Sequence, residues 1–456
     1  MTSSSASVFQ SNGRESKTAS IYIETRGSYL AASLRDPATA SVNTVRKKTP
    51  NAIYRREDCG IGSYAKAIEG LFAAEYENIS RIFAREQWAS LHNQTCQVAL
   101  DDFIRTLNEL HNHIKNNIIT DCFLAYEIVE IVSDLSARLE TRNADLKLPV
   151  QEALRPIRET ASNSLQRLLE DTRSRVQNFV ALPADGSPVD VTKDTMRRLE
   201  EMTHYLKPLH SILASAGEAN WRSPHLSGTS SSTSTVPTLR SFDVSANGNE
   251  LFASYAADTI DALLSSLETK AKALIRSRPA QGIFIANNVA VIDQQIAVGD
   301  LHNLLSDASR AKLDAWRKKG TKMYAEAWTE PVGHLRDVQY TNRGSQTMGR
   351  PPSGSGGPGS GPVDSSAILK SLNGKDREAT KEKFKNFNIS FDELVARHKS
   401  FRIERDVKQA IARDIALTVE PMYGRFWERY HDIDKGKGKY VKYDKGQLSA
   451  ILAGLG

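Results

Sequence analysis

Apolar residues along this chain recur at helical spacing. Between Gly60 and Arg85, Tyr64, Ile68, Leu71, Phe72, Ile79, Ile82 and Phe83 fall on one stripe of a helix. Leu100, Phe103, Leu107, Leu110, Ile114 and Ile118 then step by threes and fours, and the same spacing links Ile260, Leu263, Leu264, Leu267, Ala271 and Leu274. A fourth stripe takes in Ile411, Ile415, Val419, Met422 and Phe426, where Pro421 is expected to kink or restart the helix. No convincing series of alternating positions reads as strands, so the pattern predicts an all-α protein.

The predicted helices are long, with short polar joints such as Thr141–Lys147 and Leu182–Thr192. Long amphipathic helices with short joints pack as antiparallel neighbours in bundles. Two tracts interrupt them. SPHLSGTSSSTSTVPTL (Ser223–Leu239) is rich in Ser and Thr, and GRPPSGSGGPGSGPVDSS (Gly349–Ser366) is rich in Gly, Pro and Ser. Neither holds enough apolar surface to offset the entropy of ordering. The expected organisation is therefore a disordered opening over 1–20 and helical bundles over 21–222. A disordered loop over 223–246 precedes a helical block over 247–340. A second disordered loop over 341–366 precedes a basic helical block over 367–456.

Composition narrows the function classes. Cys59, Cys96 and Cys122 are too few and too scattered for a disulfide framework or a zinc site, which favours a reducing compartment. The opening MTSSSASVFQSNGRESK lacks the apolar core of a secretory signal. The most apolar stretch, Ile283 to Ile292, is short and holds Asn287 and Asn288, so membrane contact is expected to be peripheral. The 60 Lys and Arg exceed the 54 Asp and Glu, for a net +6. From Ser366 onward 19 basic residues stand against 13 acidic ones, so the last fifth of the chain carries that whole excess. A neutral body with a basic end points to one docking surface.

Motifs for chemistry are weak. Gly354, Gly356 and Gly359 form a GxGxxG without the strand and helix that a dinucleotide site needs. GKGKY at 436–440 lacks the earlier glycine and the Ser or Thr of a phosphate loop. Asp432 and Asp434 stand like the first ligands of a calcium loop, but Gly436 and lysines fill the following positions. His111 and His113 lie two apart, on different faces of a helix, and read as solvated or capping residues. No GxSxG, HExxH or paired acids argue for an enzyme, and no cofactor is implied.

What remains is FWERYHDIDKGKGKYVKY (Phe426–Tyr443). Lys435, Lys437, Lys439, Lys442 and Lys445 would each gain about 1 kcal/mol beside an anionic leaflet, and Tyr440 and Tyr443 suit headgroup depth. Their sum of about 5 kcal/mol is weak binding, so a second contact is needed. Arg317, Lys318, Lys319 and Lys322 form a candidate second basic patch, on a helix that also carries Arg310, Lys312, Leu313, Trp316, Met323 and Tyr324. Its plainer reading is a solvated helix face over a buried stripe.

The run YGRFWERYHDIDKGKGKYVKYDKGQL resembles the end of the seventy-kilodalton exocyst subunit family, whose Lys-Tyr-aliphatic-Lys-Tyr motif is Lys439-Tyr440-Val441-Lys442-Tyr443 here. Ile21–Leu30, Gly60–Ile79, Ser277–Asp293 and Lys381–Leu394 are similar to the same family. The resemblance covers most of Ile21 to Gly456. It implies an elongated, curved rod of stacked helical bundles, the architecture of multisubunit vesicle-tethering complexes, and no catalysis. It further implies binding of phosphatidylinositol 4,5-bisphosphate through Lys439 and Lys442, at the inner face of the plasma membrane where polarised secretion occurs, such as a bud neck or cell tip. Implied partners are the other exocyst subunits and Rho-family GTPases, with no nucleic acid. Family members begin with a long segment that includes a coiled coil. This chain enters the pattern at about Ile21, as a fragment, an alternative start or a mis-assembled gene product would, which leaves incorporation into the full complex open. Two other readings stand beside this one: a helical adaptor whose basic end meets an acidic partner, and a GTPase-regulating protein using Arg425 or Arg429 as a finger.

Overall fold

The computed structural model describes residues 4–49, 52–216, 221, 248–336, 369 and 372–456, with side chains from residue 17 onward. Among the described residues there is no strand, and the helices stack as bundles of the rod-like, all-α class. The first bundle region holds α1 (Ser4–Arg46), α2 (Ile61–Ile82), α3 (Trp88–Asn116), α4 (Ile118–Glu140) and α5 (Lys147–Gln177). Next come α6 (Asp190–Thr203), α7 (Leu206–Ala216), α8 (Gly248–Leu274), α9 (Arg278–Val298), α10 (Leu301–Leu304) and α11 (Asp307–Ala325). The carboxy-terminal block holds α12 (Thr329–His334), α13 (Gly374–Ser400), α14 (Arg405–Tyr430) and α15 (Lys445–Ala453). The loops expected over 223–246 and 341–366 lie outside the described residues.

Most stripe residues are buried as the periodicity requires, and the two exposed ones, Ile82 and Leu274, are the last residues of their helices. Ile82 ends α2 and is 59 % exposed, whereas Phe83 just beyond it turns back onto the Tyr22 ring of α1 at 5.2 Å. The stripe expected from Leu100 to Ile118 divides at Asn117, which ends α3 and starts α4. Pro421 lies inside a single helix, α14, instead of restarting it. The carbonyl that loses its partner belongs to Leu417, whose side chain is 70 % exposed, so that face of the helix is open to water.

At the opposite end, α1 is helical from Ser4, where a disordered opening was expected over 1–20. A helix nucleated by a packed segment extends by propagation alone, without a second nucleus. That packed segment is anchored by Glu75 of α2, which is fully buried. Its carboxylate accepts the Tyr22 hydroxyl at 2.6 Å and the Arg26 guanidinium at 2.7 Å and 3.1 Å.

Two hydrophobic cores run through the described residues, and α9 belongs to both. Phe284, Ile285, Val289, Ile292 and Ile296 enter the core built by α1 to α8, whereas Ile283, Ala286 and Ala290 enter the core of α12 to α15. Its partner α11 also serves both, through Leu313 and Trp316 on one side and Tyr324 on the other. The two helices cross at bare backbone. A Cβ on Gly282 would sit 2.6 Å from the Gly320 carbonyl oxygen, and one on Gly320 would sit 2.9 Å from that of Gly282.

Asn287 and Asn288 lie fully buried in this shared helix. Asn287 Nδ2 donates to the Gly186 carbonyl at 2.6 Å and to the Arg402 carbonyl at 2.8 Å, and its Oδ1 accepts the Glu404 amide at 3.0 Å. The Arg402 amide in turn donates to Asp185 O at 2.9 Å. Asn288 Oδ1 accepts the Thr192 hydroxyl at 2.6 Å, and its Nδ2 donates to Phe284 O at 2.7 Å. One side chain thus joins α9, the loop before α6 and the connection from α13 to α14. Asn287→Leu would leave two carbonyls and one amide without partners and is expected to destabilise the protein by about 3 kcal/mol. Denaturant unfolding would measure this, and a midpoint unchanged from wild type would remove Asn287 as the joint.

His398 of α13 is buried, and its protons are assignable. Nε2 lies 3.0 Å from the Leu455 carbonyl, which only accepts, so Nε2 donates and Nδ1 accepts the Tyr324 hydroxyl at 2.7 Å. Burial lowers its pKa below the usual 6.5. The unfolded chain therefore takes up a proton first as pH falls through about 6.5, and stability is lost below that point. His398→Gln keeps a donor toward Leu455 without titrating, so it is expected to show a shallower loss of denaturation midpoint between pH 7.5 and pH 5.5 than wild type. Identical slopes would show that His398 does not contribute to acid lability.

Candidate functional site

The basic end is built on an aromatic wedge between α13 and α14. Phe387 stacks on Phe391 at 5.4 Å, Phe384 meets Phe426 at 4.9 Å, and Phe387 meets Tyr423 at 4.8 Å. Beyond α14 a turn of 3₁₀ helix, His431–Asp434, leads into the lysine-rich loop. Lys435, Gly436 and Gly438 all have positive φ, of 55°, 74° and 64°. Glycine tolerates that region freely, whereas Lys435 is strained in it and must be held there.

Asp434 does the holding. Its largely buried carboxylate accepts the Tyr440 amide at 2.8 Å and the Val441 amide at 3.3 Å, while its own carbonyl accepts the Lys437 amide at 3.2 Å. Burial pushes its pKa upward, but the amides of Tyr440, Val441, Lys439 and Gly438 outweigh that and hold it below the usual carboxylate value. The loop ends in a capping box, where Asp444 and Gln447 exchange side-chain and backbone hydrogen bonds at 2.7 Å and 3.0 Å. Of the two acids that stood like a calcium loop's first ligands, Asp434 is therefore the internal brace of a cationic loop, whereas the Asp432 carboxylate lies 3.5 Å from His431 Nε2.

The five lysines of that loop are not equivalent. Lys435, Lys437 and Lys439 are exposed, and no ion pair holds them among the described residues. Lys439 instead lies 5.4 Å from the centre of the Tyr440 ring, and Lys381 of α13 lies 5.5 Å from the same ring. Lys442 pairs with Asp392 of α13 at 2.5 Å, which raises its pKa above the usual ammonium value. Lys445 pairs with Glu428 of α14 at 2.7 Å and keeps that carboxyl low. Both remain about half exposed, at 49 % and 46 %.

Tyr440 and Tyr443 are half-buried, each turned toward the protein. Both rest against the carboxy-terminal core, with Tyr443 at 5.6 Å from Phe391 and its hydroxyl donating to Asp392. Their backbone is held as well: Asn388 donates to Tyr440 O at 2.8 Å and the Tyr423 hydroxyl to Tyr443 O at 2.6 Å. Half-burying each ring gains apolar contact that a water-facing ring would forgo.

The second patch is largely neutralised. Arg317 binds Asp293 and Asp314, Lys318 binds Asp314 at 2.8 Å, and Lys319 binds Glu268 at 2.8 Å. Only Lys322 of the four is exposed without an ion pair among the described residues. Leu313, Trp316, Met323 and Tyr324 form the buried stripe beneath them, so this helix has the form of a solvated face. His111 binds Thr160 and His113 binds Asp121, each at 2.8 Å, so the two histidines do not converge. Among the described residues no group of His, Cys, Asp or Glu is arranged to hold a metal, and no helix is long and apolar enough to cross a membrane. Arg425 is exposed and Arg429 half-buried on α14.

Sequence reasoning missed the α13 side of the surface. Lys381, Lys385, Asn388 and Asp392 share one helical face, and three of them meet Tyr440 to Tyr443. Helical spacing puts the exposed Lys385 on that face too. The run KEKFK carried this signal, and only a known loop position makes it readable.

The described residues form an all-helical stack that carries a braced cationic loop near the carboxy terminus. Comparison with known proteins gives the family. The model of the Exo70 exocyst complex subunit carboxy-terminal region matches residues 58–454. The Neurospora crassa exocyst complex protein exo70 is 48 % identical over 445 residues, covering 97 % of this chain and 68 % of the relative. The Gibberella zeae protein is 46 % identical over 96 % of this chain and 68 % of its own length. A solved Saccharomyces cerevisiae Exo70 structure superposes with a TM-score of 0.71 at 20 % identity, over 98 % of this chain and 77 % of that one. The chain belongs to the Exo70 exocyst subunit family, a family of tethering-complex subunits that are not enzymes.

Removing the brace tests how the loop is held. Asp434→Ala is expected to cost about 2 kcal/mol locally and to speed hydrogen exchange at the Tyr440 and Val441 amides by tenfold or more. Unchanged protection at both amides would mean that the loop holds its shape without Asp434.

Proposed function

We propose that this chain works as an exocyst subunit that tethers secretory vesicles to the plasma membrane. Its basic end docks on phosphatidylinositol 4,5-bisphosphate at the cytoplasmic face, at sites of polarised secretion. The other exocyst subunits and Rho-family GTPases are its proposed partners, on the strength of family membership. The observation that supports the lipid reading is the set of three lysines, without an ion pair among the described residues, on a loop whose backbone is already held.

Magnitudes shape the mechanism. Lys435, Lys437 and Lys439 supply about 3 kcal/mol at an anionic leaflet, short of the 4.1 kcal/mol of a millimolar contact. Lys442 and Lys445 add to this only by leaving Asp392 and Glu428. A lone tip therefore samples the membrane briefly, and stable recruitment needs a second contact made by the same assembly. A tethering subunit in a larger complex meets that condition, because each weak contact raises the effective concentration of the next.

Liposome co-sedimentation at about 150 mM salt tests this reading. Vesicles with phosphatidylinositol 4,5-bisphosphate would be compared with phosphatidylserine vesicles of equal surface charge. Wild type is expected to prefer the former. Lys435→Ala/Lys437→Ala/Lys439→Ala should lose most binding, and Lys442→Ala a smaller share. Equal, feeble sedimentation of all three proteins would reject lipid docking and leave a helical adaptor for an acidic partner.

A further inference from the structure

We infer that Asp392 is a built-in counter-charge that sets the lipid selectivity of the basic end, admitting dense phosphomonoester charge and rejecting dispersed monovalent charge. The inference rests on the lipid docking proposed above and adds a specificity element to it. Asp392 receives two groups of the motif at once, the Lys442 ammonium at 2.5 Å and the Tyr443 hydroxyl. It stands on α13, a rigid helix whose buried Phe387, Phe391 and Leu394 flank it in sequence. Its side chain is 40 % exposed, so an anion arriving from solvent can compete for Lys442 without unfolding anything.

The competition has a sign set by charge. Phosphatidylserine offers Lys442 single negative charges that the Asp392 carboxylate already matches, so the exchange gains little. A phosphomonoester carries about −1.5 to −2 near neutral pH and three acceptor oxygens, so it can outbid a carboxylate. It can also touch Lys439, which among the described residues has no carboxylate to leave. Glu428 holds Lys445 in the same way from α14. The paired lysines thus form a threshold beside the free ones: Lys435, Lys437 and Lys439 answer to any anionic surface, whereas Lys442 and Lys445 answer to concentrated charge. Tyr443 keeps its backbone bond to Tyr423 and its ring against Phe391 if Asp392 lets go, so the segment has no need to refold.

The test uses the full chain with vesicles of phosphatidylserine, or with phosphatidylinositol 4,5-bisphosphate at matched surface charge. Asp392→Asn keeps the shape and the Tyr443 hydrogen bond but removes the charge. It is expected to raise phosphatidylserine binding about fivefold, the worth of one lysine released to an anionic surface. Phosphatidylinositol 4,5-bisphosphate binding should rise by less, so the preference narrows. In a Lys442→Gln background the same substitution should change nothing. Glu428→Gln, at a more exposed position, is expected to narrow the preference in the same direction and stands in if Asp392→Asn melts early. A wild type that prefers the phosphoinositide, with a ratio unmoved by either substitution, would overturn the inference and leave the docking proposal standing. A wild type with no preference would overturn both.

Discussion

The arrangement of this chain depends on one helix, α9, whose middle from Gly282 to Ile292 has no outer face. α9 gives Phe284, Ile285 and Val289 to one core and Ile283, Ala286 and Ala290 to the other. An apolar helix packed on all sides could rotate or slide with little change in buried area, because apolar contact has no direction. Asn287 and Asn288 remove that freedom. Their amides are satisfied only where Gly186, Arg402, Glu404 and Thr192 converge, and any other register would bury them unpaired. The crossing of Gly282 on Gly320 fixes the distance to α11 in the same way. Register and spacing at this joint decide where α13 and α14 stand, and so where the basic loop points.

Much of this was legible in the sequence, because burial of a helical stripe is a local property. Leu100 to Ile114 and Ile411 to Phe426 read directly as the inward faces of α3 and α14. Failures arose where a neighbour decides the outcome. Nothing at Ile82 itself says that the helix ends there with its side chain exposed. Pro421 is tolerated because the orphaned carbonyl faces water, which depends on orientation and not on composition. Asn287 and Asn288 were noticed for what they exclude, a membrane span, although their role is to join segments about 100 residues apart.

At the candidate site the sequence shows charge, and the structure shows which charge is available. Five lysines within eleven positions look like one basic patch. Folding assigns two of them to carboxylates on α13 and α14 and leaves three to solvent. The partners Asp392 and Glu428 lie 50 and 17 residues away, so no local pattern could pair them. The four-residue second cluster shows the same effect more strongly, since its carboxylates come from α8, α9 and its own helix. A count of basic residues is therefore an upper bound on what a surface offers to an anion.

Charge availability and loop order act together. A loop with free φ and ψ would lose conformational entropy of about 1 to 2 kcal/mol per residue when it settles on a surface, enough to cancel what its lysines gain. Here Asp434 and the capping box fix the backbone before any ligand arrives, and the two glycines let it take positive φ without strain. The lysines then lose only side-chain freedom on binding. The tip stays weak, because three lysines cannot exceed their individual attractions, but its weakness is not worsened by disorder. A tip of that kind suits an assembly that must test a membrane repeatedly and hold it only where several contacts coincide.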